Sequence, residues 1–252
     1  MDETFSGSPW NGEPSADFNQ PTWWNRYYQE LTTGRAAEIR TERVVYRDCR
    51  RLINFFASNN VLPMSPSIPA PRVLDAGCGL SVIPNLLVYW GFHVTAIDSC
   101  ESAITVSRAR KPTELELAKC IKIWEPRQGM KNTFTLIDDP ARSLERLKKY
   151  KSEGGTLNYL QADWHDKPLV RGEFEFIYCA NSLRRSTKSY WRETLLRFFD
   201  LLSPDGTLIL ETVNAIGIQS EVQEILCDVG YSPLTDAPAH NSKHVLEFWP
   251  TG

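Results

Sequence analysis

Residues 73–79 read Val-Leu-Asp-Ala-Gly-Cys-Gly, a short apolar run that ends in an acid and a glycine-rich turn. The run predicts a strand at Arg72–Asp75, and the residues after the turn predict a helix from Ser81 to Trp90 that stops at Gly91. Glycines in such a turn allow a ligand to approach the backbone closely. In an open parallel sheet, ligands bind in the crevice beyond the carboxyl ends of the strands. The stretch therefore predicts a ligand-binding turn at the edge of an α/β sheet.

Apolar runs and amphipathic stretches alternate along the rest of the chain. Further strands are predicted at Phe92–Asp98, Thr156–Ala162, Phe174–Cys179 and Thr207–Val213, with helices at Ser102–Arg110, Lys188–Leu202 and Gln219–Val229. The last two runs, Tyr231–Leu234 and Lys243–Trp249, predict an antiparallel pair. Strands separated by helices require crossover connections, which make a parallel sheet covered on both faces. We therefore expect an α/β fold: a doubly wound, mostly parallel seven-stranded sheet with helices on both faces and an antiparallel last strand.

Composition divides the chain into three parts. Residues 1–21 are rich in Gly, Ser, Pro and Asn and predict a flexible tail. Residues 22–70 predict a helical N-terminal cap, with a helix from Thr22 to about Phe56, followed by a Pro-rich linker. Residues 71–252 form the predicted main domain. Within it, about 118–155 is longer than one crossover requires and predicts an insertion that either covers the site or lies on the surface.

Charge and hydropathy limit the classes of partner. The chain has 252 residues with a net charge of −3, which disfavours a general binder of nucleic acid or of anionic membranes. Its apolar stretches fall short of the roughly 20 residues of a membrane span, and its N-terminus lacks the apolar core of a secretory signal. We expect a cytoplasmic protein. Its oligomeric state is left open.

The cysteines and histidines predict neither disulfides nor a metal site. None of the six cysteines forms a C-x-x-C pair, so we interpret them as reduced and mostly buried. His240 and His244 have helical spacing but lack the third and fourth ligands of a zinc site.

A second acid follows the glycine turn at the spacing of a nucleoside site. Asp98 ends the predicted second strand, 23 residues after Asp75, where a carboxylate can accept both ribose hydroxyls. A dinucleotide site would have a third glycine where Val82 stands, and a P-loop lysine is missing. Asp75 suits a cation better than a pyrophosphate. S-adenosylmethionine carries an ammonium and a sulfonium and has no phosphate.

With these residues, the chain from Arg72 to Trp249 resembles the class I S-adenosylmethionine-dependent methyltransferases, a Rossmann-like family. Residues 75–79 match the D-x-G-x-G loop of that family. The resemblance implies that Gly77 and Gly79 pack against the cofactor and that Asp75 orients its methionine end. It also implies that Asp98, with Ser99 beside it, holds the ribose.

The same resemblance implies further cofactor contacts. Asp163 and Trp164 stand where the family contacts the adenine, and Cys179 stands beside the methionine and the transferable methyl group. In similar methyltransferases a leading helix rich in Trp and Tyr caps the cofactor. Here that role would fall to Trp24, Arg26 and Tyr28, with Arg26 pairing with the methionine carboxylate. Packing of this aromatic helix onto the domain is the alternative interpretation.

The acceptor site is the least determined part. Asn181, Arg184 and Arg185 follow the fourth strand, where the family usually meets its substrate, and the arginines suit an anionic group. An N/D-P-P-Y motif is missing, which disfavours nucleic-acid bases and glutamine amides as acceptors. His165 and Glu211 are weak candidates for a catalytic base, so no catalytic residue is assigned.

Four functional hypotheses follow. The first is an enzyme that transfers a methyl group from S-adenosylmethionine to an O, N or S atom of a small molecule by in-line displacement, releasing S-adenosylhomocysteine. The second keeps the enzyme but makes a protein or peptide the acceptor. The third is a non-catalytic, cofactor-binding or scaffold domain. The fourth, a nicotinamide-dependent oxidoreductase, is disfavoured by Val82.

Overall fold

The structure is a computed structural model that describes residues 25, 28–29, 44–62, 69–126, 134–165, 169, 172–180, 182, 188–211, 219–233 and 244–248. The helices are α1 (Arg50–Ser58), α2 (Ile83–Tyr89), α3 (Glu101–Ala109), α4 (Glu114–Ala118), α5 (Pro140–Lys148), α6 (Lys188–Leu201) and α7 (Gln219–Val229). The strands are β1 (Arg72–Ala76), β2 (His93–Asp98), β3 (Ile123–Pro126), β4 (Phe134–Ile137), β5 (Thr156–Gln161), β6 (Phe174–Ala180), β7 (Leu202–Glu211), β8 (Ser232–Pro233) and β9 (His244–Phe248).

The main sheet has the order β5-β2-β1-β6-β7-β9-β8. The chain builds from β1 outward through β2 to β5 and then crosses to β6 on the other side of β1. The strand order therefore reverses between β1 and β6, and ligands bind at such a reversal in open α/β sheets. The predicted α/β class, with a parallel sheet and helices, is confirmed.

The direction of the last strand differs from the prediction. β9 pairs in parallel with both β7 and β8, so the expected antiparallel last strand is wrong. The ten residues between β8 and β9 can reach about 33 Å when extended, far more than the roughly 17 Å length of β9. That length of chain is sufficient to return to the starting edge of the sheet, whereas a tight hairpin would have forced the antiparallel direction.

Side chains on the central strands alternate between two buried layers. Val73, Tyr178 and Ile209 belong to the layer that contains α1 and α2. Leu74, Ile177 and Leu208 belong to the opposite layer, with α6 and α7. Because both faces are covered, these strands read as continuous apolar runs. The acids at the carboxyl ends of β1 and β2, Asp75 and Asp98, therefore interrupt otherwise apolar sequences.

The predicted helix from Thr22 to Phe56 is not continuous. Residues 46–49 are not helical, and α1 begins only at Arg50, whose N–H donates to Asp48 Oδ1 at 3.0 Å. The backbone on either side of this break bonds elsewhere: Val82 N donates to Val45 O at 3.1 Å, and Cys49 N donates to Cys120 O at 2.8 Å. These long-range bonds replace helical ones, which local periodicity cannot reveal. The predicted tail at 1–21 and most of the linker lie outside the described residues.

The segment predicted as an insertion contains a separate antiparallel pair, β3 and β4, and helix α5. Ser143 Oγ of α5 donates to Ile121 O at 2.8 Å, and Leu147 is fully buried in the layer of α1 and α2. This segment therefore packs on the α1 side of the sheet.

All six cysteines lie in described ranges with no disulfide bond among them, and all except Cys227 are buried, which confirms that they are mostly buried. Among the described helices, none has the length and apolarity needed to cross a membrane.

Candidate functional site

Two glycines after β1 adopt backbone conformations that other residues rarely reach. Gly77 has a φ of +74° and Gly79 a φ of +53°. Gly77 N and Cys78 N both donate to Ile97 O, at 2.9 and 3.0 Å, which ties the turn to β2. A side chain on Gly77 would collide with the Ser182 hydroxyl. The turn thus needs glycine for its conformation and for the close approach of neighbouring groups.

Replacing Gly79 with alanine should destabilise the protein by about 1–2 kcal/mol through positive φ alone, and further through contact with Tyr28. A Cβ there would lie 2.5 Å from Tyr28 Oη. Gly154→Ala is the matched control, because Gly154 has a φ of +91° with nothing within 4 Å of its added Cβ. Urea unfolding of both variants measures the difference, and the Tyr28→Phe background should remove it. Equal losses at Gly79 and Gly154 would contradict the contact.

Asp75 carries a buried carboxylate oxygen without a partner. The residue is 3% exposed, and among the described residues its Oδ2 has no hydrogen-bond partner. Burial is the main cause that raises its pKa to about 7; Asp98 adds to the shift and the Arg47 guanidinium opposes it. A buried, unsatisfied carboxylate is costly to the free protein, and a cationic ligand group is the partner that would relieve it.

Asp98 ends β2 beside the glycine turn. Its Oδ2 accepts from Gly79 N and its Oδ1 accepts from Cys100 N, both at 2.9 Å. Burial raises its pKa to about 6, against the lowering effect of these two bonds. A carboxylate has about four lone-pair positions, so two stay available for hydroxyl donors. Ser99 follows directly and is partly buried.

The segment after β5 contains Asp163, Trp164 and His165. Trp164 is 8% exposed and its Nε1 donates to Thr194 Oγ1 at 3.1 Å, so the indole is part of the core on the α6 side. The same ring comes within 3.5 Å of the Cβ position of Gly77. Asp163 accepts from His165 N at 2.9 Å and from Tyr190 Oη at 3.4 Å. His165 is exposed, and its Nε2 lies 3.1 Å from Thr194 Oγ1.

Cys179 and Asp75 lie on opposite faces of the sheet. Cys179 is 1% exposed and packs in the layer of α6 and α7. Asp75 is the register partner of Tyr178, on the face toward α1. The thiol is therefore a core group, while the backbone of Cys179 pairs with Ala76, the residue before Gly77.

Part of the predicted cap lies against the turn. Asn25 Oδ1 accepts from Ser102 N at 3.2 Å, Ser102 Oγ at 2.9 Å and Cys100 Sγ at 3.2 Å. With Tyr28 Oη over Gly79, two N-terminal residues contact the loops that follow β1 and β2. Trp24 and Arg26 lie outside the described residues, as do Asn181, Arg184 and Arg185.

Tyr178, Glu211 and Arg47 form a polar group next to Asp75, and the sequence predicted this group only in part. Tyr178 Oη donates to Glu211 Oε2 at 2.5 Å. Arg47 lies among Tyr178, Glu211 and Asp75; burial lowers its pKa, but these three neighbours outweigh burial and raise it. Of this group only Glu211 and Asp75 were candidates. Tyr178 could have been found from its position one residue before Cys179 in a strand that ends at the cleft, but Arg47 had no signal in the sequence.

These positions form a candidate nucleoside-binding site in an α/β fold. Acids end or follow three adjacent strands, with Asp163 after β5, Asp98 on β2 and Asp75 on β1, and the glycine turn follows β1. The unpartnered oxygen of Asp75 and the cradle at Gly77 and Gly79 fit a ligand that presents a cation and ribose hydroxyls.

A profile of the methyltransferase domain family matches residues 41–246. The chain therefore belongs to this family, the S-adenosylmethionine-dependent methyltransferases, whose members are enzymes that use S-adenosylmethionine as cofactor. The resemblance inferred from the D-x-G-x-G loop is confirmed.

Solved structures of methyltransferases are similar to this chain. Magnesium protoporphyrin IX methyltransferase from Synechocystis PCC 6803, with bound S-adenosylmethionine, is 16% identical with a TM-score of 0.49, covering 86% of this chain and 84% of that one. The 1,6-didemethyltoxoflavin-N1-methyltransferase of Burkholderia thailandensis is 13% identical with a TM-score of 0.49, covering 89% and 83%. A methyltransferase from Methanosarcina mazei is 17% identical with a TM-score of 0.42, covering 65% of this chain.

The structural similarity extends over 57% of the length of the Methanosarcina mazei protein and 47% of that of a methyltransferase from Mesorhizobium loti, so this chain matches only about half of each. A search of curated proteins found no match to the chain.

Proposed function

We propose that this protein transfers a methyl group from S-adenosylmethionine to an O, N or S atom of a small molecule. The observation that carries the proposal is the buried oxygen of Asp75 beside the glycine turn, which has no hydrogen-bond partner in the described part of the chain. Burial of Asp75 and of Asp98 lowers the stability of the free protein at neutral pH, because burial raises both pKa values. A protein that served only as a scaffold would gain nothing from this cost.

The residues that would hold the cofactor follow the order of the strands. Asp163 and Trp164 would contact the adenine, and Asp98 with Ser99 would accept from the ribose. Gly77 and Gly79 would pack against the nucleoside. Asp75 would accept from the methionine ammonium, with the backbone of Cys179 nearby. The predicted cap, Trp24, Arg26 and Tyr28, would close the site from the N-terminal side, which the contacts of Asn25 and Tyr28 support.

The protein supplies alignment and desolvation. When bound, S-adenosylmethionine supplies an electrophilic methyl group on a positively charged sulfur. Asp75 would hold the methionine end of the ligand and Asp98 its ribose, which together would fix the position of the methyl group. Such positioning replaces a bimolecular encounter with a near-attack arrangement. A base is needed only for an acceptor that keeps its proton at neutral pH.

The acceptor is proposed to be a small molecule, bound next to Asn181, Arg184 and Arg185, with no nucleic acid or membrane partner. The modest net charge supports this. A protein or peptide acceptor is the alternative.

Labelled methyl transfer distinguishes these possibilities. The protein is incubated with methyl-tritiated S-adenosylmethionine and cell extract, which is then separated into small-molecule and protein fractions. We expect label in the small-molecule fraction. Label in protein would favour the alternative acceptor. Tight calorimetric binding of the cofactor without transfer to either fraction would favour a non-catalytic domain, and binding of NAD instead would point to an oxidoreductase.

A further inference from the structure

Glu211 ends β7, two strands away from Asp75 along the same edge of the sheet. The register pairs Asp75 with Tyr178 across β1 and β6, and Ala180 with Glu211 across β6 and β7. Tyr178 pairs with Ile209, two residues before Glu211, so Asp75, Tyr178 and Glu211 share the face toward α1. If Asp163, Asp98 and Asp75 hold the cofactor from adenine to methionine, Glu211 is next in the same direction, on the side from which an acceptor must approach.

Glu211 is held by a group that is itself fixed. Tyr178 is 1% exposed, and its hydroxyl donates to Glu211 Oε2 at 2.5 Å. Burial is the main cause that raises the pKa of Tyr178, and Glu211 adds to the shift, so the phenol keeps its proton and acts as a donor. One oxygen of Glu211 is thereby oriented. The carboxylate is only partly buried and retains lone pairs that can face the cleft.

Arg47 balances part of the charge at this position. Its guanidinium interacts with Tyr178, Glu211 and Asp75. Two carboxylates share this one guanidinium, so the group has an excess of negative charge when both acids are ionised. Such a position attracts a hydrogen-bond donor or a cation and repels an anion.

We propose that Glu211, oriented by Tyr178, accepts the proton of the methyl acceptor. The acceptor is therefore a group that bears a proton, such as an amine, a hydroxyl or a thiol, and not a carboxylate. This inference rests on the proposed methyl transfer. Glu211 is the catalytic residue and Tyr178 is a positioning residue.

The step balances without a further reactant. The acceptor atom forms a bond to the methyl carbon while the carbon–sulfur bond breaks. The electron pair of the broken bond stays on sulfur and gives a neutral thioether. The proton of the acceptor passes to a Glu211 oxygen. A carboxylate acceptor has no proton to give, and it would meet the like charge of Glu211.

Sinefungin tests this position without the natural acceptor. This cofactor analogue carries a primary ammonium group on a carbon in place of the methylated sulfur, so a cation stands where the methyl group would be. We expect the wild-type protein to bind sinefungin about tenfold more tightly than S-adenosylhomocysteine by calorimetry, because a carboxylate faces that cation. Glu211→Gln and Tyr178→Phe should remove most of this preference while the affinity for S-adenosylhomocysteine changes less than about threefold.

Two matched variants serve as controls. Tyr231→Phe also removes a buried hydroxyl, which donates to Leu195 O, and Glu175→Gln removes a carboxylate that pairs with Arg72 at the opposite end of β1. Both should retain the preference. If Tyr178→Phe does not fold, Glu211→Gln carries the test, since Glu211 is only partly buried.

Three results would count against these assignments in different ways. An unchanged preference in Glu211→Gln would overturn the role of Glu211, and an equal loss of both affinities in Tyr178→Phe would reduce Tyr178 to a structural role. Isolation of a methyl ester as the labelled product would overturn the acceptor class. Failure of the wild-type protein to bind either analogue would instead contradict the proposed function.

Discussion

The Asp98→Ala variant should bind S-adenosylhomocysteine about 30- to 300-fold more weakly than the wild-type protein, which corresponds to the loss of charge-assisted hydrogen bonds to the ribose. The carboxylate also accepts from Gly79 N and Cys100 N, so its removal loosens the glycine turn as well. Titration calorimetry at pH 7.5 measures the change.

Asp98→Asn separates charge from shape. Both oxygens of Asp98 accept backbone N–H groups, so an asparagine must turn its own NH₂ toward one of these donors. We therefore expect a loss close to that of alanine and not an intermediate one. Asp138→Ala, which removes an exposed acid in the inserted segment, is the control. Unchanged affinity in Asp98→Ala would refute the ribose assignment.

Local chemistry explains which parts of the fold the sequence predicted. The predicted strands β1, β2, β5, β6 and β7 and the turn at Gly77 and Gly79 have signals within a few residues: apolar runs, glycines at positive φ and acids at strand ends. Such signals do not depend on what the chain meets later. The family match confirms the cofactor class that they implied.

Long-range contacts explain what the sequence could not predict. The helix break before Arg50 depends on Val82 and Cys120, which lie far away in the chain. The direction of β9 relative to β8 depends on the length of the chain that connects these two strands. Neither leaves a periodic pattern.

The candidate site divides in the same way. Asp75 and Asp98 were predicted because each ends a predicted strand at the edge of the sheet where the glycine turn lies. Tyr178 was read as an apolar strand residue, since only the register across β6 and β7 brings it to Glu211. Arg47 falls within the predicted helix from Thr22 to about Phe56, but the helical structure stops at Val45 and resumes only at Arg50. Pattern analysis thus misses side chains, such as Tyr178 and Arg47, that reach the candidate site only through tertiary contacts.

Asp75→Asn should make the free protein more stable at alkaline pH and at the same time impair cofactor binding. The pKa of Asp75 is raised to about 7 even with Arg47 nearby, so its environment as a whole disfavours the charged form. A carboxyl group with a raised pKa in the folded state supports folding below about pH 4, and that support is lost as the pH rises through about 7. Asparagine stays neutral, so the variant should gain on the order of 1–2 kcal/mol at pH 8, or about 2–8 °C in Tm, and only a small part of that at pH 4.5.

Binding should change in the opposite sense. Because we propose that the ionised Asp75 pairs with the methionine ammonium, the variant should lose about 30-fold or more in affinity for S-adenosylhomocysteine. 5′-Methylthioadenosine, which lacks the amino-acid part, should bind the variant and the wild-type protein within about threefold of each other. In the wild-type protein, affinity for S-adenosylhomocysteine should increase from pH 5.5 to 8 with release of protons, because the ligand favours the ionised acid. Equal losses for both ligands, or a variant less stable than wild type at pH 8, would refute the assignment of Asp75 as the buried anion that receives the amino group.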